Sequence, residues 1–295
     1  MKKALVLFAV SVLLMACSLP FTLNWNTPEP TTEPITIIPE VIVTAEPAVT
    51  VAPATIEPLV GIELNLGGVY MVLPPCLAAG AVGALEPALP PDPQGGPMSV
   101  YPAHRLITFQ GYPLAGKFFE PEVRVYPLAD YTAMLDNVDD TVANLQALIT
   151  SQTADPATSI PFLPGFPAAQ LFRAQVKFVN FANGQGVRFL TEYGQYSAPV
   201  NNNDLFYTYQ GVTTDGAYWV SIIFPVNAAY LQSSLEDPTL PPSDVSMPDY
   251  TAAQAGDIQA YYTEMNALLN STADNQFTPG LDCLDQFVQT ISIGN

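Results

Sequence analysis

Basic side chains are the scarcest feature of this sequence. Lysine and arginine together number 8 against 27 aspartates and glutamates, with one histidine, for a formal net charge of −19. Such a balance argues against nucleic acid as a partner, because neutralising phosphates takes clustered Lys and Arg. Beyond Lys2 and Lys3 the basic residues are Arg105, Lys117, Arg124, Arg173, Lys177 and Arg188, scattered along the chain. No basic amphipathic helix offers itself to an anionic bilayer surface. The acidity suits an exported protein kept soluble by its charge.

Catalytic constellations are also missing. The chain has no Gly-x-Ser-x-Gly elbow, no His-Glu-x-x-His, no phosphate-cradling glycine motif and no cysteine pair at zinc-ligand spacing. No cofactor and no metal centre are implied. His104, beside Arg105 at the start of an expected strand, reads as a surface or core residue. The acids of Asp136–Asp140 lack a calcium-loop pattern and fit a helix start. Carboxylates are plentiful, so a glycosidase-type acid pair stays open: Glu192 on a sheet arm can face another acid across a cleft. It pairs as readily with Lys177 or Arg188, and nothing selects a second acid.

Long hydrophobic runs are absent too. The one apolar run, from Ala4 to Ala16, falls short of the about 20 residues that a helix needs to cross a bilayer. It follows Lys2 and Lys3, as the core of a secretory signal follows its basic start. Leu14, Met15 and Ala16 before Cys17 resemble the bacterial lipobox. That resemblance implies cleavage after residue 16 and a diacylglycerol on the Cys17 sulfur, a membrane anchor on the extracytoplasmic face. A plain signal peptide and an uncleaved anchor are the rival readings.

After Cys17 the character changes. Residues 17–60 carry Pro20, Pro28, Pro30, Pro34, Pro39, Pro47, Pro53 and Pro58, and T-x-E-P recurs from Thr27, Thr31, Thr44 and Thr55. Proline fixes φ and removes a donor, so this stretch reads as an extended spacer with a reach on the order of 130 Å. The alternative is a folded extension in which "ITII" or "VIVT" adds an edge strand.

Residues 61–295 read as one α+β domain. "FRAQVKFVNF" and "GVRFLTEY" flank the turn "ANGQG", and "LFYTYQGV" and "YWVSIIFPV" flank "TTDGA". Together they predict a four-strand antiparallel meander from about Leu171 to Val226. On its first arm Ala174, Val176 and Phe178 alternate with Arg173, Gln175 and Lys177; on its second, Val187, Phe189 and Tyr193 alternate with Arg188, Leu190 and Glu192. "GVYMVL", "HRLITFQ" and "EVRVYPL" are further strand candidates. Helices are expected at Val138, Val142, Leu145 and Ile149, and at Ile258, Tyr262, Met265 and Leu269 behind a Thr251/Gln254 capping box. A last helix carries Leu281, Leu284, Val288 and Ile291, with Thr278 as N-cap and Pro279 as its first residue.

This element order resembles the α/β/α sandwich of the PsbP-like lumenal proteins. The stretch "LFRAQVKFVNFANGQGVRFLTEYGQ" with "LFYTYQG" is similar to lipoproteins of filamentous, Chloroflexus-type bacteria, a resemblance that implies location and fold and no activity.

With Cys17 lipidated, Cys76 and Cys283 remain. In an oxidising compartment they favour a disulfide clasping the ends of the domain; two separate buried thiols are the alternative. Aromatics crowd the meander, and Tyr193, Tyr196, Tyr207 and Tyr209 are candidates for contact with a ligand, with core packing as the rival role. The reading that results is a membrane-anchored lipoprotein, a non-catalytic binding or accessory module at the cell envelope, its partner a ligand or an envelope protein. An acid-pair hydrolase acting on glycans and a structural subunit of an envelope complex are the alternatives.

Overall fold

The computed structural model describes residues 60–91, 100–155, 158–237, 245–248 and 255–294. Cys17, the spacer and the Thr251/Gln254 box lie outside the described residues. The strands are β1 (Ile62–Leu66), β2 (Val69–Leu73), β3 (Gly80–Glu86), β4 (His104–Gln110), β5 (Glu122–Pro127), β6 (Ala169–Gln170), β7 (Ala174–Phe181), β8 (Gly184–Thr191), β9 (Tyr193–Gly194), β10 (Phe206–Thr213), β11 (Tyr218–Pro225), β12 (Asn227–Ala228), β13 (Phe277–Thr278) and β14 (Ser292–Ile293). The helices are α1 (Leu128–Met134), α2 (Val138–Ser151), α3 (Ala255–Ser271) and α4 (Leu281–Thr290). The class is α+β, with a seven-stranded sheet in the order β3-β4-β5-β11-β10-β8-β7. Every neighbouring pair in it is antiparallel.

The expected meander, β7, β8, β10 and β11, supplies four of the seven strands. β1, β3 and α1 were not expected from the sequence. β1 and β2 form a hairpin whose central residues, Gly67 and Gly68, have φ of 63° and 84°, as a two-residue turn matched to strand twist demands. The "ANGQG" turn is tighter than its composition suggests. Phe181 pairs with Gly184, so only Ala182 and Asn183 turn, and Gly184 and Gly186 belong to β8. A Cβ on Gly186 would lie 2.6 Å from the Tyr209 hydroxyl, so glycine here makes room for that ring.

Both faces of the sheet are covered, which makes three layers. One face, with Leu190, Tyr207, Tyr209, Ile222 and Phe224, packs under α3, α4 and the small β1-β2-β14 sheet. The other, with Tyr126, Phe189, Phe206 and Trp219, packs under α1, α2 and the segment bearing Ile160, Phe162 and Leu163. Helical stripes meet these faces as spaced: Val138, Leu145 and Ile149 on α2, Tyr262, Met265 and Leu269 on α3, and Leu281, Leu284 and Val288 on α4 are buried.

Two local expectations are corrected. A bulge between Ala174 and Lys177, with Gln175 at φ 55°, adds one residue to β7. The parity of the strand flips there, so Ala174 joins the α3/α4 face while Val176 and Phe178 join the other. At α4 the N-cap is Gly280, because Thr278 is paired with Asn227 in the β12–β13 ladder and lies before the helix. Cys76, which follows β2, and Cys283 of α4 form a disulfide, closing a loop with a sequence separation of 207. It clasps the beginning of the fold to its last helix.

Candidate functional site

β8 ends at Thr191, and the chain then enters Glu192, the short pair β9–β6, and a loop returning to β10. The run Asn201-Asn202-Asn203-Asp204 makes that return rigid. The Asn201 side-chain carbonyl accepts the N–H groups of Asn203 (3.0 Å) and Asp204 (3.2 Å). Its amide donates to Asp204 Oδ2 (2.9 Å), and the Asn203 amide donates to Asp204 Oδ1 (2.8 Å). Asn202 is anchored below, donating to the carbonyls of Ala228 and Leu231, each at 3.0 Å. Asparagine suits each place because it carries donor and acceptor on one short arm.

Two contacts fasten the 117–118 segment to this turn. Lys117 Nζ donates to the Asn202 carbonyl (2.7 Å), and the Phe118 N–H donates to the Asn203 carbonyl (3.0 Å). Phe118 is thereby held beside a pocket of about 270 Å³ whose walls include Glu192, Tyr193, Tyr196, Asp204, Leu235 and Glu236. The Phe118 and Tyr196 side chains are 68% and 69% exposed, an unusual state for two large rings at one cavity.

Glu192 is buried and accepts the Asn201 N–H on Oε1 (2.8 Å). Burial pushes its carboxyl well above the usual carboxylate range, opposed by the Asn201 hydrogen bond and reinforced by the charge of Asp204. The carboxyl therefore keeps its proton at pH values where an exposed glutamate has lost it. Glu192 can donate a hydrogen bond into the pocket, or ionise when a cation arrives.

On the other side of Phe118 lies a second hollow of about 430 Å³, walled by Tyr101, Phe119, Phe166, Glu122 and Arg124. Arg124 is committed to Glu122 through Nε (2.7 Å) and Nη2 (3.0 Å). Tyr193 links the two hollows, its ring against Phe166 (centroids 4.7 Å apart) and its hydroxyl accepting from Gln170 (3.0 Å).

Of the residues singled out from sequence, Tyr193 and Tyr196 thus stand at one pocket. Tyr207 and Tyr209 do not: both are 0% exposed, in the core under α3 and α4. Tyr207 donates to Asp285 Oδ1 (3.1 Å) and Tyr209 to the Val179 carbonyl (2.9 Å). The reason is the sandwich, in which β10 is central and covered on both sides, so alternation turns neither set of its side chains outward. Arg188 and Lys177 pair with Asp285, not with Glu192. His104 is a core residue, its ring tilted against that of Tyr126 with centroids 4.4 Å apart; its Nδ1–H donates to the Pro102 carbonyl (3.0 Å) and Nε2 accepts from Arg124 (3.3 Å). Burial holds its pKa below the ordinary value.

Sequence reasoning missed Phe118, Asp204 and Glu236. The signal for Phe118 was its place in "GKFFEPE", two adjacent aromatics in a stretch bounded by glycine and proline, where no strand can absorb both. Compared with known proteins, the chain matches no family model, no curated protein and no solved structure.

Proposed function

We propose that the protein is a lipid-anchored, extracytoplasmic binding module. The anchor rests on the lipobox-like Leu14–Cys17 stretch behind Lys2, Lys3 and the short apolar run, and the spacer of residues 17–60 carries the domain away from the membrane. The observation that supports binding is the pair of exposed rings, Phe118 and Tyr196, on the walls of a pocket that also holds the buried Glu192. Rings that gain nothing from solvent, set beside fixed polar groups, are what a ligand covers.

The anchor is tested by fractionation. Cys17→Ser releases the protein from membranes or leaves an unprocessed precursor; a variant processed and membrane-bound like the parent overturns it. Binding is tested by a thermal-shift screen of the full chain in detergent against divalent metals, oligosaccharides, cell-wall fragments and small amines. A ligand well above its Kd raises the Tm by mass action, and Phe118→Ala must reduce that shift.

A second reading has its own support. Glu192, keeping its proton beside Asp204, has the attributes of a general acid paired with a carboxylate, as glycoside hydrolysis requires. Release of reducing ends from glycans, abolished by Glu192→Gln, carries that reading; glycans bound and left intact remove it.

A further inference from the structure

We infer that the Glu192 pocket takes the ammonium group of a small organic cation, seated between the Phe118 and Tyr196 rings and the carboxyl groups of Glu192, Asp204 and Glu236. This deepens the binding reading and rests on it.

Charge is the first ground. Three carboxyl-bearing residues and no Lys, Arg or His stand among the described residues that wall the pocket. Two nearby cations are engaged elsewhere: Lys117 Nζ with the Asn202 carbonyl, and Arg124 in two hydrogen bonds to Glu122. No cation among the described wall residues answers the pocket's negative potential; Arg173, on an adjoining segment, acts on the wall residue Tyr193. A neutral ligand leaves that potential unused.

Shape selects the kind of cation. Among the described residues no three His, Cys, Asp or Glu side chains converge as metal ligands do. Carboxyls spread around a cavity suit a charge that is itself spread, as over the N-alkyl groups of an ammonium compound. The exposed rings supply the remaining contact, since an aromatic face attracts such a cation most when water is excluded. At about 270 Å³ the cavity is below the range usual for drug-sized ligands, and fits a head group or a short amine.

The third ground is Glu192 itself, buried in the pocket wall with its Oε1 held by the Asn201 N–H. A cation placed there favours the ionised carboxyl, so binding releases a proton. Affinity then rises with pH until Glu192 ionises in the free protein. The other titratable groups around it are Asp204 and Glu236 on the walls, Lys117 and Arg173 on the adjoining segments, and Tyr193, Tyr196, Tyr261 and Tyr262. Burial raises the Glu192 carboxyl above the ordinary carboxylate range, so it is the group that a bound cation ionises.

Calorimetric titration of the full chain in detergent tests the inference with choline, putrescine, the uncharged choline isostere 3,3-dimethylbutanol, and a neutral oligosaccharide. Choline or putrescine is expected to bind about tenfold or more tightly than the isostere. Tyr196→Ala and Glu192→Gln each weaken that binding by about tenfold. The wild-type affinity climbs as pH is raised above the ordinary carboxylate range, while the Glu192→Gln affinity stays level, a difference that a merely structural role for Glu192 does not give. Equal binding of choline and its isostere, or none of either amine, overturns the inference. If the oligosaccharide alone binds and Phe118→Ala removes it, the ammonium inference falls and the binding reading stands. Silence across the panel removes both.

Discussion

Arg188 of β8 and Asp285 of α4 face each other with Nε and Oδ1 3.2 Å apart, both side chains withdrawn from water. The guanidinium also donates to the Gln175 carbonyl at the β7 bulge and reaches Asp274 Oδ1 at 3.4 Å. Asp285 in turn accepts from Lys177 (2.7 Å) and Tyr207 (3.1 Å). Bulge, central strand and last helix are tied at one point. Removing one partner leaves a buried charge unanswered, so Asp285→Ala should cost about 3–5 kcal/mol. Lys177→Ala, at the half-exposed end of the network, should cost under about 1 kcal/mol. Equilibrium denaturation of the two variants checks the contrast; equal losses would mean that the buried pair carries no special weight.

Most of this was legible one level down and not at the next. Alternation marked β7, β8, β10 and β11, because strongly β-forming residues at period two have few other solutions. It could not say that both sets of alternating side chains are buried. Arg188 alternates with the apolar Val187 and Phe189, a pattern that ordinarily turns charge toward water; here Asp285, almost a hundred positions later, makes burial tolerable. β3, with the sequence GAVGALE, escaped because alanine and glycine carry little strand signal. The pocket was half visible: Glu192 and Tyr196 were singled out, whereas Phe118 joins them through contacts of the 117–118 segment with the backbone of Asn202 and Asn203.

Glu192 makes stability depend on pH in a stated direction. Its folded-state carboxyl is raised above the ordinary 4.5, so the native state holds this proton better than the unfolded chain does. That contribution is whole below the unfolded value and is lost as pH climbs through the folded one. Glu192→Gln, which keeps an acceptor for the Asn201 N–H, should leave the Tm nearly unchanged at pH 4 and raise it at pH 8. A difference between the two proteins that is the same at both pH values contradicts the buried, protonated acid.

The Cys76–Cys283 clasp constrains the unfolded chain. For a loop of this separation the chain-entropy estimate is about 5 kcal/mol, an upper figure because native strain and denatured-state structure subtract from it. Cys76→Ser and Cys283→Ser should destabilise alike, and the double variant should be no worse than either, since each single change already breaks the bond. Denaturant midpoints with and without reductant check this. Wild type with reductant should fall to the level of the variants.

Tyr196 and Tyr207 are chemically the same residue on the same stretch of chain, and the fold assigns them opposite work. Tyr207→Phe removes a buried donor to Asp285 and should cost about 1–2 kcal/mol, with no effect on any ligand of the Glu192 pocket. Tyr196→Ala removes a ring that is 69% exposed and should change stability by no more than about 0.5 kcal/mol while weakening ligand binding. Denaturation and titration on both variants give a two-by-two comparison. If Tyr207→Phe alters binding as much as Tyr196→Ala, the surface pocket and the buried network are coupled, and the division of labour drawn from exposure is wrong.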